Sequence, residues 1–514
     1  MEAVNRAAAD GPGQPRTPRT PRTPRTTPRE NQLATPLVIL GIPFHDVTFA
    51  EAVAWCVERM RSGRPGYVAT ANLDFVMQSR RDPELQRILL EADLVVADGA
   101  PLIWMSGLFG PRLRERVTGS DLTPLLAEAC RDHGFSVFGL GAATGVAQKA
   151  LEELQQRYPG LRLAGWHSPP KADILEMDHA DILDRVRQAG PDLLLVAFGA
   201  PKQEKWINMH FRQWGVPLAV GIGGTLDFLA GVQRRAPKLV QSIGMEWFWR
   251  LLTDPRRLLG RYAANLLFLV RESVRLKFLA RSDERPGPEL PPPSAEILER
   301  GQARMLAFQP LASPSQVSAF LETALPLAAR HALVVDLARA SALSSLELGV
   351  LINLDKACRA RHGRLLLWNV RPRVVRFLRA CGLTDYLGLV ASQAELETRL
   401  ASLNVLIREG TVLGLNGGTM NVRLPLELTV TNLDTFRERI EREWGRLAAT
   451  GRFLEIDMDA GGLEFLDSAA LGFLVGLKKQ ADQAGIVLRC HGFQGAARRT
   501  VKLARLEELL GGKE

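Results

Sequence analysis

The chain has few cysteines, few aromatic residues and no long apolar run. Its five cysteines lie far apart and form no CxxC pair, which argues against a zinc site or a disulfide framework and suits a reducing cytoplasm. No apolar run reaches the roughly 18 residues that a membrane span needs, and the N-terminus lacks the apolar segment of a secretory signal. We therefore expect a cytoplasmic protein without a membrane-spanning segment or a metal site.

The chain has fewer acidic than basic residues. It contains 56 aspartates and glutamates and 65 lysines and arginines, which gives a net charge of +9. This excess suits an anionic partner such as a diphosphate or a membrane surface. Few aromatic residues are interleaved with the basic ones, so we expect no nucleic acid partner. The 514 residues leave room for about three domains.

Residues 1–34 form a low-complexity tail that repeats a Pro-Arg-Thr unit. Such a segment cannot bury a core, so we predict that it is disordered. Its arginines permit two interpretations, which are a solvated tail and a contact with anionic lipid.

Apolar strands alternate with amphipathic helices from residue 35 to residue 250, where helices are predicted at Leu122–His133 and Val146–Tyr158. The predicted strands are Pro36–Leu40, Tyr67–Thr70, Leu94–Ala97, Phe135–Phe138, Leu193–Phe198 and Leu218–Ile222. This alternation predicts a Rossmann-like α/β domain with a parallel, helix-covered sheet.

Residues 251–282 predict a basic amphipathic appendage with a helix over Tyr262–Arg281. Such a helix is typical of a membrane-surface element, and it is equally compatible with packing of its apolar face on the core. A Pro-rich linker is predicted at residues 283–294.

The remaining sequence contains a weak internal repeat. The first copy has a strand at Ala332–Leu337 followed by Ser344 and Ser345, and the second has Phe453–Met458 followed by Asp467 and Ser468. Two small α/β domains, at residues 295–403 and 404–514, are the simplest explanation.

Polar residues and glycines follow the predicted strands of the first domain. The candidate ligand-binding positions are Thr70, Asn72, Asp98, Arg116, Gly139, Gly141 and Gln203. Because ligands of open α/β sheets bind outside the carboxyl ends of the strands, we expect these positions to form one site. Their chemistry favours an enzyme that handles a sugar nucleotide.

Asp98 is a single carboxylate at a strand end. One base is enough for an inverting glycosyl transfer, because a nucleoside diphosphate is already a good leaving group; capping of the following turn is the alternative. The glycine turn that contains Gly139 and Gly141 opens a helix whose amides suit a phosphate. Arg116 suits a diphosphate or is a solvated loop residue, and Gln203 suits a sugar or uracil edge or caps a turn.

These motifs together resemble the WecG/TagA/CpsF glycosyltransferase family over about residues 36–265. The matching pieces are Thr70-Ala71-Asn72, Ala97-Asp98-Gly99, Arg116-Val117-Thr118-Gly119-Ser120-Asp121, Gly199-Ala200-Pro201-Lys202-Gln203-Glu204, Asp227 with Gly231, Arg235-Ala236-Pro237, and Glu246-Trp247 with Arg250. The resemblance implies an inverting, metal-independent transfer of an N-acetylmannosamine-type sugar from a UDP donor. The implied acceptor is a polyprenyl-diphosphate-linked glycan at the cytoplasmic membrane face.

The same resemblance implies roles for individual residues. Asp98 would be the base, Thr70 and Asn72 would line the pocket, and Arg116 and Gln203 would contact substrate. The appendage arginines Arg250, Arg257 and Arg261 would close the site and meet the membrane.

The repeated domains resemble STAS domains. By that resemblance Ser468 would be the phosphorylation site of a switch, at which phosphate adds about −2 charge, and a kinase or anti-sigma-type protein would be the partner; an N-cap serine is the alternative. Ser344 replaces the family's aspartate, so the first copy is expected to be the degenerate one. A catalytically silent scaffold that acts through the STAS pair is the alternative function.

Overall fold

A computed structural model of the protein describes most of the chain. The described residues are 34–109, 111–233, 235–237, 240, 246–253, 255–281, 298, 303–311, 313–329, 332–361, 363–406, 411–416, 419–448 and 455–510. Residues 1–33 of the predicted disordered tail and the whole predicted linker lie outside this set.

The first domain starts with an antiparallel hairpin of strands β1 (Leu37–Ile39) and β2 (Ile42–Phe44). The prediction that the first strand joins the parallel sheet is therefore wrong. Leu40 and Gly41 both have positive φ angles, 51° and 91°, and this two-residue turn reverses the chain at once.

Six parallel strands form the main sheet in the order β4-β3-β8-β7-β5-β6. The strands are β3 (Gly66–Ala71), β4 (Leu94–Ala97), β5 (Ser136–Gly141), β6 (Arg162–His167), β7 (Leu193–Ala197) and β8 (Leu218–Gly221). The predicted parallel sheet is thus confirmed. The sequence analysis missed β6, because this edge strand is only half-buried and has no continuous apolar run.

Helices cover both faces of this sheet. They are α1 (Phe49–Ser62), α2 (Leu73–Ser79), α3 (Pro83–Glu91), α4 (Ala100–Phe109), α5 (Gly119–His133), α6 (Val146–Arg157), α7 (His179–Ala189), α8 (Lys202–His210) and α9 (Thr225–Leu229). Alternate residues of β7 enter different cores, with Leu193 and Leu195 on the side of α1, α5 and α6, and Leu194 and Val196 on the other. Burial on both faces explains why the strands are apolar throughout.

The appendage consists of helices α10 (Glu246–Thr253) and α11 (Pro255–Arg281), and α10 crosses the predicted domain boundary at residue 250. One face of α11 is buried through Asn265, Phe268 and Glu272. Large apolar side chains on α10 and α11 are exposed, namely Phe248, Leu252, Leu259, Leu266, Leu267, Val270 and Val274. Within the described part of the chain, no helix has the length and apolarity that a bilayer span requires.

STAS-like domain 1 has a parallel sheet in the order β12-β11-β10-β9. Its elements are β9 (Ala303–Ala307), α12 (Pro314–Ala324), β10 (Ala332–Asp336), α13 (Ser345–Arg359), β11 (Arg364–Trp368), α14 (Pro372–Cys381), β12 (Gly388–Leu389) and α15 (Gln393–Leu406). Helix α15 continues past the predicted boundary at residue 403. The inner face of α11 packs against α14 and α2.

STAS-like domain 2 has a sheet in the order β13-β14-β16-β18, antiparallel only between β13 and β14. Its elements are β13 (Thr411–Asn416), β14 (Thr419–Arg423), β15 (Glu427–Leu428), α16 (Leu433–Ala448), β16 (Glu455–Asp459), β17 (Phe465–Leu466), α17 (Ser468–Gln483), β18 (Val487–His491), α18 (Gly495–Leu503) and α19 (Glu507–Leu510). The predicted class, an α/β domain followed by two small α/β domains, is confirmed.

A shared ion-pair network joins the three domains at Glu427. This carboxylate of STAS-like domain 2 accepts hydrogen bonds from Arg87 of the first domain at 2.8 and 2.9 Å and from Arg359 of STAS-like domain 1 at 2.7 Å. Burial alone would raise the pKa of Glu427, but Arg359, Arg364 and Arg87 outweigh it and hold the pKa well below its ordinary value. The domains therefore meet at a half-buried carboxylate that three arginines share, and each of these arginines has one further acidic partner, Glu91, Asp355 or Glu464.

Candidate active site

A cavity of about 890 Å³ opens at the carboxyl ends of the parallel strands, which is the predicted place and a size that suits a small-molecule ligand. The lining side chains and turns follow the strand order from β4 to β6. They include Asp98, then Thr70, Asn72 and Asp74, then Gly223, Gly224 and Asp227, then Ala197, Phe198, Lys202 and Gln203, then Gly141, Ala142 and Ala143, and finally Pro169, Pro170 and Lys171.

The cavity is electrostatically divided. Two of its carboxylates, Asp98 and Asp74, follow β4 and β3 at one side of the sheet, whereas the third, Asp227 of α9, is near Lys171, whose charge opposes the rise that burial causes in the pKa of Asp227. Its two lysines, Lys171 and Lys202, follow β6 and β7 at the other side, where the turn after β5 also lies. One end of the cavity therefore suits an anion and the other suits hydroxyl groups.

Asp98 lies directly beyond β4, and two contacts hold it there. Its backbone N–H donates to the carbonyl oxygen of Ala71 at 2.9 Å, and its Oδ2 lies 3.5 Å from the backbone nitrogen of Gly119. Gly119 is the first residue of α5, so the carboxylate faces the positive end of that helix. The Asp98 carboxylate therefore lies at the cavity wall, beside the first turn of α5.

Thr70 and Asn72 also line the cavity, and both side chains form hydrogen bonds with the backbone that stabilise the fold. Thr70 Oγ1 donates to the carbonyl oxygen of Gly221 at 2.8 Å and so joins β3 to β8. Asn72 Oδ1 accepts from the backbone N–H groups of Asp74 and Phe75 and caps α2. The Asn72 amide nitrogen is left as the group that can donate to a ligand.

Gln203 is only 1% exposed, and its carboxamide joins the turns that follow β7 and β8. Its Oε1 accepts from the backbone N–H groups of Gly199 at 3.2 Å and Gly223 at 3.1 Å. Its Nε2 donates to Glu204 Oε1 at 2.7 Å, so one amide hydrogen remains for a ligand. Gln203 thus fixes the cavity floor in addition to lining it.

The sequence analysis missed the role of Glu204, which is fully buried behind Gln203. Burial raises the pKa of Glu204 to about 7, and the hydrogen bond from Gln203 only partly opposes this effect. Its Oε2 has no hydrogen-bond partner among the described residues. A Cβ atom at Gly221 would lie 2.9 Å from Glu204 Oε1 and 2.8 Å from Gln203 Nε2, so this pair requires glycine there.

Of the two glycines predicted to bind a ligand, only Gly141, the last residue of β5, lies at the cavity. Gly141 lines the cavity with a φ of 103°, and a Cβ there would lie 2.7 Å from the carbonyl oxygen of Ala197. Gly139 instead lies within β5, outside the cavity lining, where a Cβ would press on Leu151 at 3.1 Å. We therefore revise Gly139 from a ligand-binding residue to one that lets α6 approach the sheet.

Arg116 is not among the residues that line the cavity, although its charge acts on nearby Asp121. Asp121 is not the N-cap of α5, because Thr118 occupies that position. Asp121 pairs with both terminal nitrogens of Arg235 at 2.6 and 2.7 Å. Burial would raise the pKa of Asp121, but the bonds from Arg235 and Thr118 lower it. This pair ties the segment after α9 to α5.

The loop at residues 168–178 forms the wall beyond β6. Ser168 Oγ donates to the carbonyl oxygen of Gly141 at 2.9 Å, and Lys202 Nζ donates to that of Ala172 at 2.7 Å. His179 Nε2 lies 2.7 Å from the carbonyl oxygen of Ile174. The loop is therefore held at both ends and in the middle, and Lys202 contributes to its position as well as to the charge of the cavity.

The remaining predicted site residues lie elsewhere or cannot be placed. Arg250, Arg257 and Arg261 belong to α10 and α11, but their side chains lie outside the described part of the structure. Ser468 is the first residue of α17, is 3% exposed, and does not line the cavity.

Comparison with known proteins identifies three matching segments. Residues 37–282 match the glycosyl transferase WecG/TagA/CpsF family, residues 300–391 match the family described as Mlab, STAS domain, and residues 413–513 match the STAS domain family. The predicted resemblances are thus confirmed for the three segments.

Two relatives carry the name N-acetylglucosaminyldiphosphoundecaprenol N-acetyl-beta-D-mannosaminyltransferase. The protein from Bacillus spizizenii is 31% identical over 191 residues, which cover 37% of this chain and 72% of the relative. The protein from Staphylococcus aureus is 28% identical over 251 residues, which cover 48% of this chain and 95% of the relative. The chain therefore belongs to the WecG/TagA/CpsF glycosyltransferase family and carries two STAS domains after its glycosyltransferase domain.

Proposed function

We propose that the protein is an inverting glycosyltransferase that moves an N-acetylmannosamine-type sugar from a UDP donor to a polyprenyl-diphosphate-linked glycan in surface polysaccharide synthesis. The names of the two relatives support the sugar and the acceptor class. The family match over residues 37–282, which contain the whole cavity, supports this proposal.

The division of charge in the cavity is the observation that carries this proposal. A donor diphosphate fits the end with Lys171, Lys202 and the turn at Gly141, because lysine charges and backbone N–H groups stabilise phosphate oxygens. The sugar then extends along the sheet edge towards β3 and β4. Asn72 and the carboxylates at that end can bond its hydroxyl groups.

Asp98 is placed to act on the acceptor. It takes the proton of the acceptor hydroxyl while the hydroxyl oxygen attacks the anomeric carbon, and the bond from that carbon to UDP breaks. The electron pair of the broken bond leaves with UDP, whose charge the lysine end of the cavity stabilises. Attack from the side opposite UDP inverts the anomeric configuration, and we propose that no metal ion takes part.

The appendage is our proposed membrane contact. Leu259, Leu266, Leu267, Val270 and Val274 recur at helical spacing on α11 and are exposed, while Arg256, Arg271 and Arg275 of the same helix are exposed as well. An apolar stripe flanked by arginines is typical of a helix that lies on an anionic membrane surface. Such a helix would bring the cavity to a lipid-linked acceptor on the inner face of the cell membrane.

The intact cavity favours an enzyme over the catalytically silent scaffold. We propose that the STAS pair regulates or docks this enzyme, and a kinase or an anti-sigma-type protein stays a hypothesis for its external partner.

The decisive experiment measures UDP release from a panel of UDP-sugars with a polyprenyl-diphosphate-linked acceptor analogue. We expect release with one donor and a loss of about 10²- to 10⁴-fold in Asp98→Asn, because the base is removed. Asp184→Asn is the control, since this carboxylate of α7 is 65% exposed and does not line the cavity. No release by the wild type with any donor would contradict the proposal and favour the scaffold.

A further inference from the structure

The first turn of α17 in STAS domain 2 is buried against the glycosyltransferase domain. Ser468 donates both its backbone N–H and its hydroxyl to Glu84, with distances of 2.6 Å to Oε1 and 2.7 Å to Oε2. Ser468 is 3% exposed and Glu84 is 1% exposed. The contact therefore excludes water, and in this arrangement a modifying enzyme has no access to the Ser468 hydroxyl.

The carboxylate of Glu84 connects this turn to the wall of the cavity. Lys205 Nζ lies 2.8 Å from Glu84 Oε2 and 2.8 Å from Asp82 Oδ2. Lys205 belongs to α8, the helix whose first residues, Lys202 and Gln203, line the cavity. A chain of charge-assisted bonds thus runs from Ser468 through Glu84 to α8.

A second contact reaches the loop at residues 168–178. Leu175 of this loop packs against the hydrophobic core of STAS domain 2, and its Cδ2 would lie 3.8 Å from a Cβ at Gly472. Gly472 is one helical turn after Ser468 on α17. One short stretch of α17 therefore supports two walls of the cavity, namely α8 and the loop that carries Lys171.

STAS domain 1 docks through the corresponding positions of the repeat. Ser345, the first residue of α13, donates its hydroxyl to the carbonyl oxygen of Val38 at 2.6 Å. Gly349, four positions later, approaches Pro36 so closely that a Cβ would lie 2.0 Å from its carbonyl oxygen. Both copies thus turn the same serine and the same glycine toward the glycosyltransferase domain, which identifies this helix face as a docking surface.

The two docking contacts differ in charge. Ser345 meets a neutral carbonyl, whereas Ser468 meets a carboxylate that lies beside two further acids, Asp82 and Asp467. Burial and the charge of Glu84 raise the pKa of Asp467 to about 7, which means that a second negative charge next to Glu84 is already unfavourable. A further negative charge on residue 468 would face Glu84 at close range in a buried place.

We propose that the Ser468 turn of STAS domain 2 is an internal docking element that holds the donor side of the cavity in place, and that negative charge at Ser468 releases it. The partner of this surface is the Glu84–Lys205 face of the same chain. Release frees α8 and the 168–178 loop to move, and it weakens donor binding, a consequence that rests on the function proposed above. Phosphorylation of Ser468 requires that the domain first leaves this face.

Hydrogen exchange of the full-length protein tests the docking without any substrate. We expect Ser468→Asp to raise exchange about tenfold or more in α3, α17 and the 168–178 loop, because two like charges then meet in a buried contact. Asparagine has the size of aspartate without its charge. Exchange in Ser468→Asn should therefore stay within about threefold of the wild type, since this variant loses only one hydrogen bond. Adding Glu84→Gln to Ser468→Asp removes the repulsion and should restore protection.

Equal exchange in Ser468→Asp and Ser468→Asn would overturn the inference, as would a rise that spares the 168–178 loop. If Ser468→Asp does not fold, Glu84→Ala decides instead, because it removes all three bonds of the carboxylate and adds no charge. It must increase exchange in α17 and the loop while strand β7 stays protected, and unchanged exchange would refute the docking role. If the wild type releases no UDP, the proposed function is wrong. The hydrogen-exchange comparison of the variants would still test the docking contact, because it needs no substrate.

Discussion

The exposed leucines of α11 give the sharpest test of membrane contact. Leu266 and Leu267 are 61% and 70% exposed, while the adjacent Phe268 is buried in the core. Replacing both leucines by glutamine removes apolar surface but keeps the charge and the helix propensity nearly unchanged. The fold should therefore survive the double change.

The expected loss follows from the exposed area. Burying a leucine side chain fully is worth about 1.5–3 kcal/mol, so two leucines that are about two-thirds exposed contribute roughly 2–4 kcal/mol when they enter a membrane surface. At 1.4 kcal/mol for each factor of ten, vesicle affinity should fall by about 30-fold or more.

Flotation with vesicles that contain phosphatidylglycerol measures this affinity. Leu503→Gln is the matched control, because Leu503 is 51% exposed but lies on α18 of STAS domain 2. UDP release with a water-soluble acceptor analogue should stay unchanged in the double variant, since the cavity is untouched. Equal flotation of the wild type, the double variant and the control would refute the assignment of α11 as the membrane contact.

Two further predictions concern carboxyl groups with shifted pKa values. Burial raises the pKa of Glu204 from 4.5 to about 7, so its contribution to stability is complete below pH 4.5 and is lost as the pH rises through about 7. Chemical denaturation across this pH range should show that the free energy of unfolding of the wild type falls by about 3 kcal/mol, whereas that of Glu204→Gln does not. Identical pH profiles would contradict this. Glu427→Gln should destabilise the protein by about 1.5–3 kcal/mol, because three arginines lose the carboxylate that they share while each keeps one other acidic partner. Glu464→Gln is its control, with a side chain that is 40% exposed, and equal melting temperatures of the two variants would disprove the central role of Glu427.

The local pattern of the sequence was enough to predict where the cavity opens. Strand β7 is predicted at Leu193–Phe198 and observed at Leu193–Ala197, because apolar residues buried on both faces leave a continuous run. Since parallel strands end at a common edge, Asp98, Asn72 and Gln203 could be assigned to one cavity before any contact was known. The resemblance to known families then supplied the chemistry.

Local pattern could not separate lining residues from supporting ones. Gly139 and Gly141 are two positions apart in the same strand, yet one packs on α6 and the other opens the cavity. Leu37–Ile39 has the composition of a sheet strand, but the tight turn at Leu40 and Gly41 makes it part of a hairpin. In both cases the outcome depends on which neighbour the backbone meets.

The sequence by itself determined the α/β class, the repeated C-terminal domains and the edge of the sheet where the cavity opens, because periodicity and strand-end composition are local properties. Only the tertiary structure decided which distant groups meet. Gln203 joins Gly223 across 20 positions, Arg235 joins Asp121 across 114, and Ser468 joins Glu84 across 384. Such pairs carry no spacing signal, since the packing of helices and domains brings them together, and burial then makes each hydrogen bond costly to lose.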